Sequence, residues 1–282
     1  MKLTIAIPNY NNSKGLKKAV LSCKSISLNN KDYEILIIDD KSTDNSLEVS
    51  KKLAKKLDNV RVEENKKNLG RIPNWNKAIE LAKGDYLIFL FSNDKLYPKN
   101  NIGKMIKLLD ENKDVSFVQS RYAKESGKRL FQMQKNRPIG YVNSKDFIKK
   151  AVEHNNLVFA PLQTIIFRRK DINIKFYKDF PISTDQIFAM ILGLKRSKIF
   201  FNKVNQVIWK EEGKRFHYQI KHKDNFKERL FYFNIINKYL DASKLKFSFF
   251  SFILLLKMFK WNGFNLSLLF NMLRNYIVFI FK

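Results

Sequence analysis

The sequence predicts an α/β fold, with a mostly parallel central sheet and helices on both faces. Over the first 120 residues, short β-rich apolar runs alternate with longer helical patterns, as in βαβ units. Residues 86–91 (YLIFLF) are apolar without alternation, which is typical of a strand covered on both faces. The sheet is therefore predicted to lie between two helical layers.

The first half of the chain supplies strands and helices in turn. Strands are predicted at residues 3–8, 35–38, 60–62, 86–91 and 115–118. Apolar residues at helical spacing predict helices at residues 16–26, 73–83 and 101–109. One further helix, which extends to Leu57, is predicted to be capped by Asp44, and Gly84 is predicted to close the helix at 73–83.

The second half is less regular. Apolar runs predict strands at residues 162–167, 199–201 and 204–209, and a helix at residues 184–194. From about residue 216 the pattern becomes helical and then dense in Phe and Leu. A C-terminal helical extension is therefore predicted after the sheet.

Composition limits the kinds of protein this can be. The 282 residues are 45% hydrophobic and 28% charged, as in a folded globular protein. One cysteine, Cys23, excludes an internal disulfide and a Cys-based zinc site, and its helical spacing predicts a buried structural position. No basic segment followed by a long apolar run opens the sequence, so we expect a cytoplasmic protein.

The chain carries 54 Lys and Arg against 26 Asp and Glu, a net charge of +28. Nucleic acid, an anionic membrane face or a phosphorylated substrate would each fit this excess, and so would the codon bias of an AT-rich genome. The lysines are scattered and no nucleic-acid reader motif is present. We therefore expect no nucleic-acid partner, and a polyanion-binding protein is the weakest of the alternative functions.

Polar residues follow three of the predicted strands. They are Pro8-Asn9-Tyr10, Asp39-Asp40 and Ser92-Asn93-Asp94. In open parallel sheets, ligands bind outside the carboxyl ends of the strands. A purely structural domain does not need acids at several strand ends, so the sequence predicts a ligand site there.

These segments resemble a known family. Residues 4–12 (TIAIPNYNN) look like the opening strand of glycosyltransferase family 2, and residues 34–46 (EILIIDDKSTDNS) resemble its second block. Residues 68–86 resemble its third block, residues 90–98 occupy the place of its acidic metal motif, and Thr184-Asp185 resembles its base motif. The order and spacing of these motifs agree with those of the family over about residues 2–210.

The resemblance implies a GT-A (Rossmann-like) catalytic domain over residues 1–215, with a nucleotide-binding half at 1–120 and an acceptor half at 121–215. It implies transfer of a sugar, with inversion, from a nucleotide-diphosphate donor (a UDP-sugar) to a hydroxyl of a glycan or lipid-linked glycan acceptor. The setting implied is bacterial surface-polysaccharide synthesis. A non-catalytic nucleotide- or glycan-binding relative is the alternative.

The resemblance also assigns roles to residues of the nucleotide half. Asp40 would contact the uracil or ribose, and Pro8 and Tyr10 would wall the nucleotide. Arg71 would contact the pyrophosphate, for which a guanidinium is a bidentate donor. A strand-end turn is the rival interpretation of Asp40, and a solvated loop position that of Arg71.

A divalent cation, Mn²⁺ or Mg²⁺, is implied because the departing diphosphate develops negative charge. Asp94 would be its ligand and Asn93 a near neighbour that offers a neutral carbonyl oxygen. The family's run carries two or three aspartates, whereas this one reads Phe91-Ser92-Asn93-Asp94. We therefore expect a metal site with one charge fewer, and the alternative is a plain turn.

Asp185 would be the general base that accepts the proton of the acceptor hydroxyl. A carboxylate there is also a plain charge at a helix N-terminus, and Thr184 stands where the family often has Glu. His217 follows the last predicted strand, in the place of a basic loop that closes over the diphosphate in some relatives. An exposed loop position is the favoured interpretation of His217.

Residues 216–282 form the predicted extension, and its part at 244–282 concentrates Phe, Leu and Ile with sparse cations. Its uncharged stretches are shorter than the roughly 20 apolar residues that a spanning helix needs. It suits an interfacial segment on an anionic membrane, on the inner face of the cell membrane. Packing on the catalytic domain or on a second subunit is the alternative, so an oligomer is open.

Overall fold

The computed structural model describes residues 1–127, 129–153, 159, 161–178 and 184–210. The predictions for residues 216–282, including the membrane-facing segment at 244–282, and for His217 lie outside these residues. Within them, no helix combines the length and the apolar character needed to cross a membrane.

The described residues form one large mixed sheet. Its order is β3-β2-β1-β4-β9-β6-β10-β5, with β7 beside β6 and β8 beside β10. The strands are β1 (Leu3–Asn9), β2 (Tyr33–Asp39), β3 (Val60–Glu64), β4 (Tyr86–Phe89), β5 (Lys95–Leu96), β6 (Val115–Ser126), β7 (Arg129–Gln132), β8 (Gly140–Asn143), β9 (Ile165–Arg168) and β10 (Lys198–Lys210).

The main strands of this sheet run in one direction. β3, β2, β1 and β4 are parallel neighbours, and β6 and β10 are parallel to each other. The short β9 is antiparallel to both β4 and β6, which aligns the two parallel groups. The other short strands, β5, β7 and β8, are antiparallel additions to β10 and β6. The predicted α/β fold with a mostly parallel sheet is therefore confirmed.

Helices cover both faces of the sheet. They are α1 (Ser13–Ser22), α2 (Ser46–Lys56), α3 (Arg71–Leu81), α4 (Ile102–Glu111), α5 (Ser144–Glu153) and α6 (Thr184–Gly193). Side chains of β1 alternate between two apolar clusters: Ala6 joins the cluster of α3 and α6, whereas Ile5 and Ile7 join that of α1 and α4. This alternation explains why β1 reads as an uninterrupted apolar run, since both of its faces are buried.

Several boundaries differ from the predictions. β4 ends at Phe89, because the chain turns before Asp94, whose N–H donates to the Phe91 carbonyl at 2.9 Å. Residues 162–164 form a 3₁₀ turn rather than the start of β9. The two strands predicted at 199–201 and 204–209 are one strand, β10, with a register shift against β6 near Asn202. The polar residues at that shift made one irregular strand resemble two.

Other predicted details are confirmed or corrected by hydrogen bonds. The N-cap of α2 is Asn45 and not the predicted Asp44, which lies one residue earlier and accepts from Ser46 N–H through Oδ1 at 2.9 Å. α3 ends at Leu81, before the predicted stop at Gly84. Cys23 is fully buried, and burial raises the pKa of its thiol far above the ordinary value. The structural interpretation of Cys23 is therefore confirmed.

Candidate active site

The loops that follow β1, β2 and β4 are joined by side-chain hydrogen bonds. Asn11 Oδ1 accepts from Thr43 N–H at 2.7 Å, which ties the first loop to the second. Asn12 Nδ2 donates to Ser92 Oγ at 3.1 Å, which ties the first loop to the third. The three polar strand ends found in the sequence therefore form one cluster at the carboxyl edge of the sheet.

Close approach of backbone makes this cluster possible. Gly15, in the first turn of α1, faces the carbonyl oxygen of Ser92 so closely that a Cβ there would collide with it. Asn11 and Lys41 both adopt positive φ, at 50° and 59°, and so turn the first two loops sharply. The sequence signals for these turns are the Asn cluster after β1 and the polar run after β2.

Pro8 and Tyr10 lie at the end of β1, with opposite exposure. Pro8 is buried and lies opposite Ile38 of β2. Tyr10 is 49% exposed just beyond the strand, so its ring is available for stacking on a planar ligand. These positions fit the predicted role of both residues in lining a nucleotide site, in which Tyr10 is the solvent-accessible residue.

Asp39 is a structural residue by its contacts. It is fully buried, its Oδ1 accepts from Ser42 Oγ at 2.6 Å and from Asn9 Nδ2 at 3.2 Å, and its Oδ2 accepts from Ser42 N–H at 2.9 Å. These bonds hold the turn that follows β2 in place.

Asp40 holds a different loop. Its Oδ1 accepts from Asn65 Nδ2 at 2.7 Å and from Leu69 N–H at 2.8 Å, and its Oδ2 accepts from Gly70 N–H at 2.9 Å. A carboxylate offers about four acceptor sites, so about one is left for a ligand. The structure thus adds loop anchoring to the predicted nucleotide contact.

The loop anchored by Asp40 leads directly into α3. Gly70 has φ 84°, a conformation that favours glycine, and Arg71 is the first residue of the helix. The exposed Arg71 guanidinium lies 5.0 Å from the centroid of the Trp75 ring, and that ring stacks on Phe91 at 4.8 Å. Arg71 is therefore connected by packing to the loop that carries Asn93 and Asp94.

Asp94 is 1% exposed and is held from two other elements. Its Oδ1 accepts from the backbone N–H of Lys210, at the end of β10, at 3.1 Å. Its Oδ2 accepts a hydrogen bond from Nε2 of Gln163, in the turn before β9. Asn93, next to it, is half-buried. The sequence did not single out Gln163, and its only signal was a polar residue just before an apolar strand.

Asp94 fits a cation that is held mainly by a substrate. Among the described residues, no group of three or more His, Cys, Asp or Glu side chains forms a metal cluster. Mg²⁺ needs only one or two carboxylates when substrate phosphates supply further ligands. Asp94 supplies one such carboxylate, and Gln163 and the Lys210 backbone orient its two oxygens.

Asp185 lies in the first turn of α6 and is half-buried. Its Oδ1 accepts from Gln186 N–H at 2.9 Å, and Thr184 Oγ1 accepts from Tyr177 N–H at 2.6 Å, which fixes the start of the helix. The 3₁₀ turn Leu162–Thr164 packs against both β4 and α6. The turn that holds Asp94 therefore also supports the helix that carries Asp185.

The family is settled by comparison with known proteins. The sequence model of glycosyl transferase family 2 matches residues 4–174, which is more than half of the chain. The chain therefore belongs to glycosyl transferase family 2, and the resemblance in its motifs is confirmed.

Two curated relatives each match more than two thirds of this chain. A poly(ribitol-phosphate) beta-glucosyltransferase of Bacillus spizizenii is 30% identical over 71% of this chain and 30% of the relative. Poly(ribitol-phosphate) beta-N-acetylglucosaminyltransferase TarS of Staphylococcus aureus is 24% identical over 76% of this chain and 36% of the relative. The chain thus spans about a third of the length of these two relatives.

Solved structures share the fold. Residues 1–349 of S. aureus TarS in complex with UDP-GlcNAc match with a TM-score of 0.75 and 20% identity, over 99% of this chain and 82% of that one. A Pyrobaculum calidifontis mannosyltransferase in complex with GDP-Man and Mn²⁺ matches with a TM-score of 0.57 and 12% identity, over 100% of this chain and 81% of that one. The predicted GT-A fold is therefore confirmed.

Proposed function

We propose that this protein is an inverting, metal-dependent glycosyltransferase. It transfers a sugar from a UDP-sugar to a hydroxyl of a glycan or lipid-linked glycan acceptor in bacterial surface-polysaccharide synthesis. The observation that carries the proposal is the single cluster formed by the loops after β1, β2 and β4 in a family 2 chain. The TarS structure with UDP-GlcNAc supports a UDP-sugar as donor.

Each residue of the cluster has a role in this reaction. Tyr10 stacks on the base, and Asp40 accepts a hydrogen bond from the nucleoside and holds the loop before Arg71. Arg71, at the N-terminus of α3, binds the diphosphate as a charge-assisted donor. Binding by positive groups favours departure of the diphosphate because its negative charge grows as the glycosidic bond breaks.

Asp94, with Asn93 beside it, would hold the divalent cation, which supplies charge neutralisation to the leaving diphosphate when bound. Asp185 is the general base: it accepts the proton of the acceptor hydroxyl as that oxygen attacks the sugar carbon. Attack from the side opposite the diphosphate inverts the configuration at that carbon. The complex of a relative fold with GDP-Man and Mn²⁺ supports the choice of cation.

The acceptor is proposed from the net charge of the chain and from the names of its relatives. Two relatives are named as poly(ribitol-phosphate) transferases, and a phosphate-bearing acceptor would complement a net charge of +28. A relative from Methanococcus voltae, named as a dolichyl-phosphate glycan transferase, is 27% identical over 71% of this chain and 64% of its own length. It supports the lipid-linked alternative for the acceptor.

A donor screen tests this function. UDP-, GDP- and TDP-sugars are offered with Mn²⁺ or Mg²⁺, with and without chelator, and with polyol-phosphate or lipid-linked acceptors. We expect turnover of a UDP-sugar, loss of turnover with chelator, and an inverted product by NMR. Binding without turnover of any donor would favour the non-catalytic relative, which the single-carboxylate metal site also suits.

We also propose a location at the inner face of the cell membrane, supported by the apolar and basic sequence of residues 244–282. The test is co-sedimentation of the full chain with vesicles. We expect binding to vesicles that contain anionic lipid, weaker binding to neutral vesicles, and loss of binding when Lys257, Lys260 and Arg274 are replaced by Gln. A chain that binds neither kind of vesicle but sediments as a dimer would favour packing of this segment on a second subunit instead.

A further inference from the structure

Gln163 is the residue on which this inference rests. It is 1% exposed, in the 3₁₀ turn Leu162–Thr164 that precedes β9. Its side-chain Nε2 donates to Oδ2 of Asp94, 69 residues away in sequence. The contact joins the turn before β9 to the loop after β4.

Groups from two different elements orient the Asp94 carboxylate. The Lys210 backbone N–H binds Oδ1 and the Gln163 amide binds Oδ2, so the two oxygens are held from opposite elements. Two such bonds fix the plane of the carboxylate. Without them, the carboxylate of a loop residue can rotate about its side-chain bonds. Groups that orient a metal ligand in this way tune the affinity of the site.

The backbone of the turn that carries Gln163 is held in place by Gln206, whose Nε2 donates to the Gln163 backbone carbonyl at 2.7 Å. Rotation of the amide by half a turn would point its oxygen at the oxygen of Asp94, where two acceptors repel. The amide nitrogen is therefore fixed toward Asp94.

The orientation of the Gln163 amide leaves its oxygen without a partner, and this points to the role of its nitrogen. Gln163 Oε1 is buried and has no hydrogen-bond partner among the described residues. An unpaired buried acceptor destabilises the folded protein, and an apolar side chain of similar length would avoid this. The amide is therefore better explained by its bond to Asp94 than by packing.

We propose that Gln163 is a positioning residue for the cation and diphosphate site. It sets the direction in which Asp94 presents its oxygen lone pairs and does not itself touch the donor. The inference rests on the proposed function, since it assigns to Asp94 the cation of that reaction.

The test compares two buried amides in the full-length protein. Gln163→Met removes the amide that binds Asp94 and keeps the length of the side chain. Gln119→Met removes a buried amide that binds Thr164 instead. The measurement is the affinity of the UDP-bound protein for Mn²⁺, by electron paramagnetic resonance, with melting temperature as the folding control.

We expect Gln163→Met to weaken Mn²⁺ binding by about 10–100-fold, the usual range for loss of a group that orients a metal ligand. Gln119→Met is expected to stay within about threefold of the wild type, because its amide does not touch Asp94. Equal Mn²⁺ affinities for the two folded variants would overturn the inference.

A second variant decides the question if Gln163→Met does not fold. Gln163→Glu places a second carboxylate against Asp94, and two adjacent carboxylates resist ionising together. Mn²⁺ binding by this variant is expected to rise more steeply between pH 5 and 8 than that of the wild type. An unchanged pH profile overturns the inference. A wild type that binds no UDP, with or without Mn²⁺, refutes the proposed function instead.

Discussion

Replacement of Asp40 by Asn tests the loop-anchoring role that the structure adds to this residue. The carboxylate accepts three hydrogen bonds, two of them from the backbone of Leu69 and Gly70. An amide keeps one acceptor oxygen and turns an NH₂ group toward at least one of these donors. The variant therefore loses at least one charge-assisted bond and sets its NH₂ group against a donor at the base of the loop.

The magnitude follows from the loss of the charge-assisted bond. A hydrogen bond to a charged group contributes about 1.5–3 kcal/mol, so we expect Asp40→Asn to lower the free energy of unfolding by that amount. The matched control is Asp58→Asn, at an exposed aspartate, with an expected change within about 0.5 kcal/mol.

The assay is urea unfolding at pH 7, combined with calorimetric titration of UDP. The displaced loop leads directly into Arg71 at the start of α3, so UDP affinity is expected to fall at least about tenfold as well, equivalent to about 1.4 kcal/mol. Asp40→Asn with wild-type stability would refute the anchoring argument. If UDP affinity fell all the same, the carboxylate would act on the nucleotide directly.

Three further predictions concern catalysis, pH and packing. Asp185→Asn is expected to reduce transfer by about 10²–10⁴-fold while UDP binding persists, because only the proton acceptor is lost; normal turnover in a transfer assay would contradict the role. Burial acts to raise the pKa of Glu34, but hydrogen bonds from Arg61 and neighbouring groups outweigh it and lower the pKa. Stability from Glu34 is thus present above its unfolded pKa of about 4.3 and is lost as pH falls through the lower folded value. Glu34→Gln should make urea unfolding less dependent on pH below about 4.3, and an unchanged acid dependence would count against this. Gly15→Ala should lower the melting temperature, because its Cβ would meet the Ser92 carbonyl oxygen; an unaltered melting curve would show that the loop after β4 yields freely.

The matched control for Gly15→Ala is Gly127→Ala, since Gly127 has open space around it, although its φ of 58° adds backbone strain. A larger effect at Gly15 would therefore come from the contact with Ser92 and not from the loss of glycine as such. For Asp185, melting temperature and UDP affinity serve as the controls for folding.

Periodicity predicted most of the sheet, because strands buried on two faces have a strong local signature. β1, β2 and β4 lie within a residue or two of the predicted bounds. The short strand β5 was not predicted, since two residues carry no period, and its pairing with β10 exists only in the folded chain. The strand β7 was not predicted either, because all four of its residues are exposed and it has no apolar face.

The candidate site was also predictable only in part. Acids at strand ends are visible in a sequence because each follows an apolar run, and this found Asp40 and Asp94. Their hydrogen-bond partners were not visible, since Gln163 and Lys210 come from segments far along the chain. The same holds for Asp40, whose anchoring of Gly70 no local pattern shows.

Local residue order alone was enough to establish the α/β class, the carboxyl-edge cluster and the family, because each depends on periodicity and on short motifs. The folded chain was needed to reveal how the acids are used. Asp40 and Asp94 bind donors from distant segments, and a contact across 29 or 69 residues is created only when the sheet brings those segments together. The direction of a carboxylate, unlike its presence, is a property of such tertiary contacts.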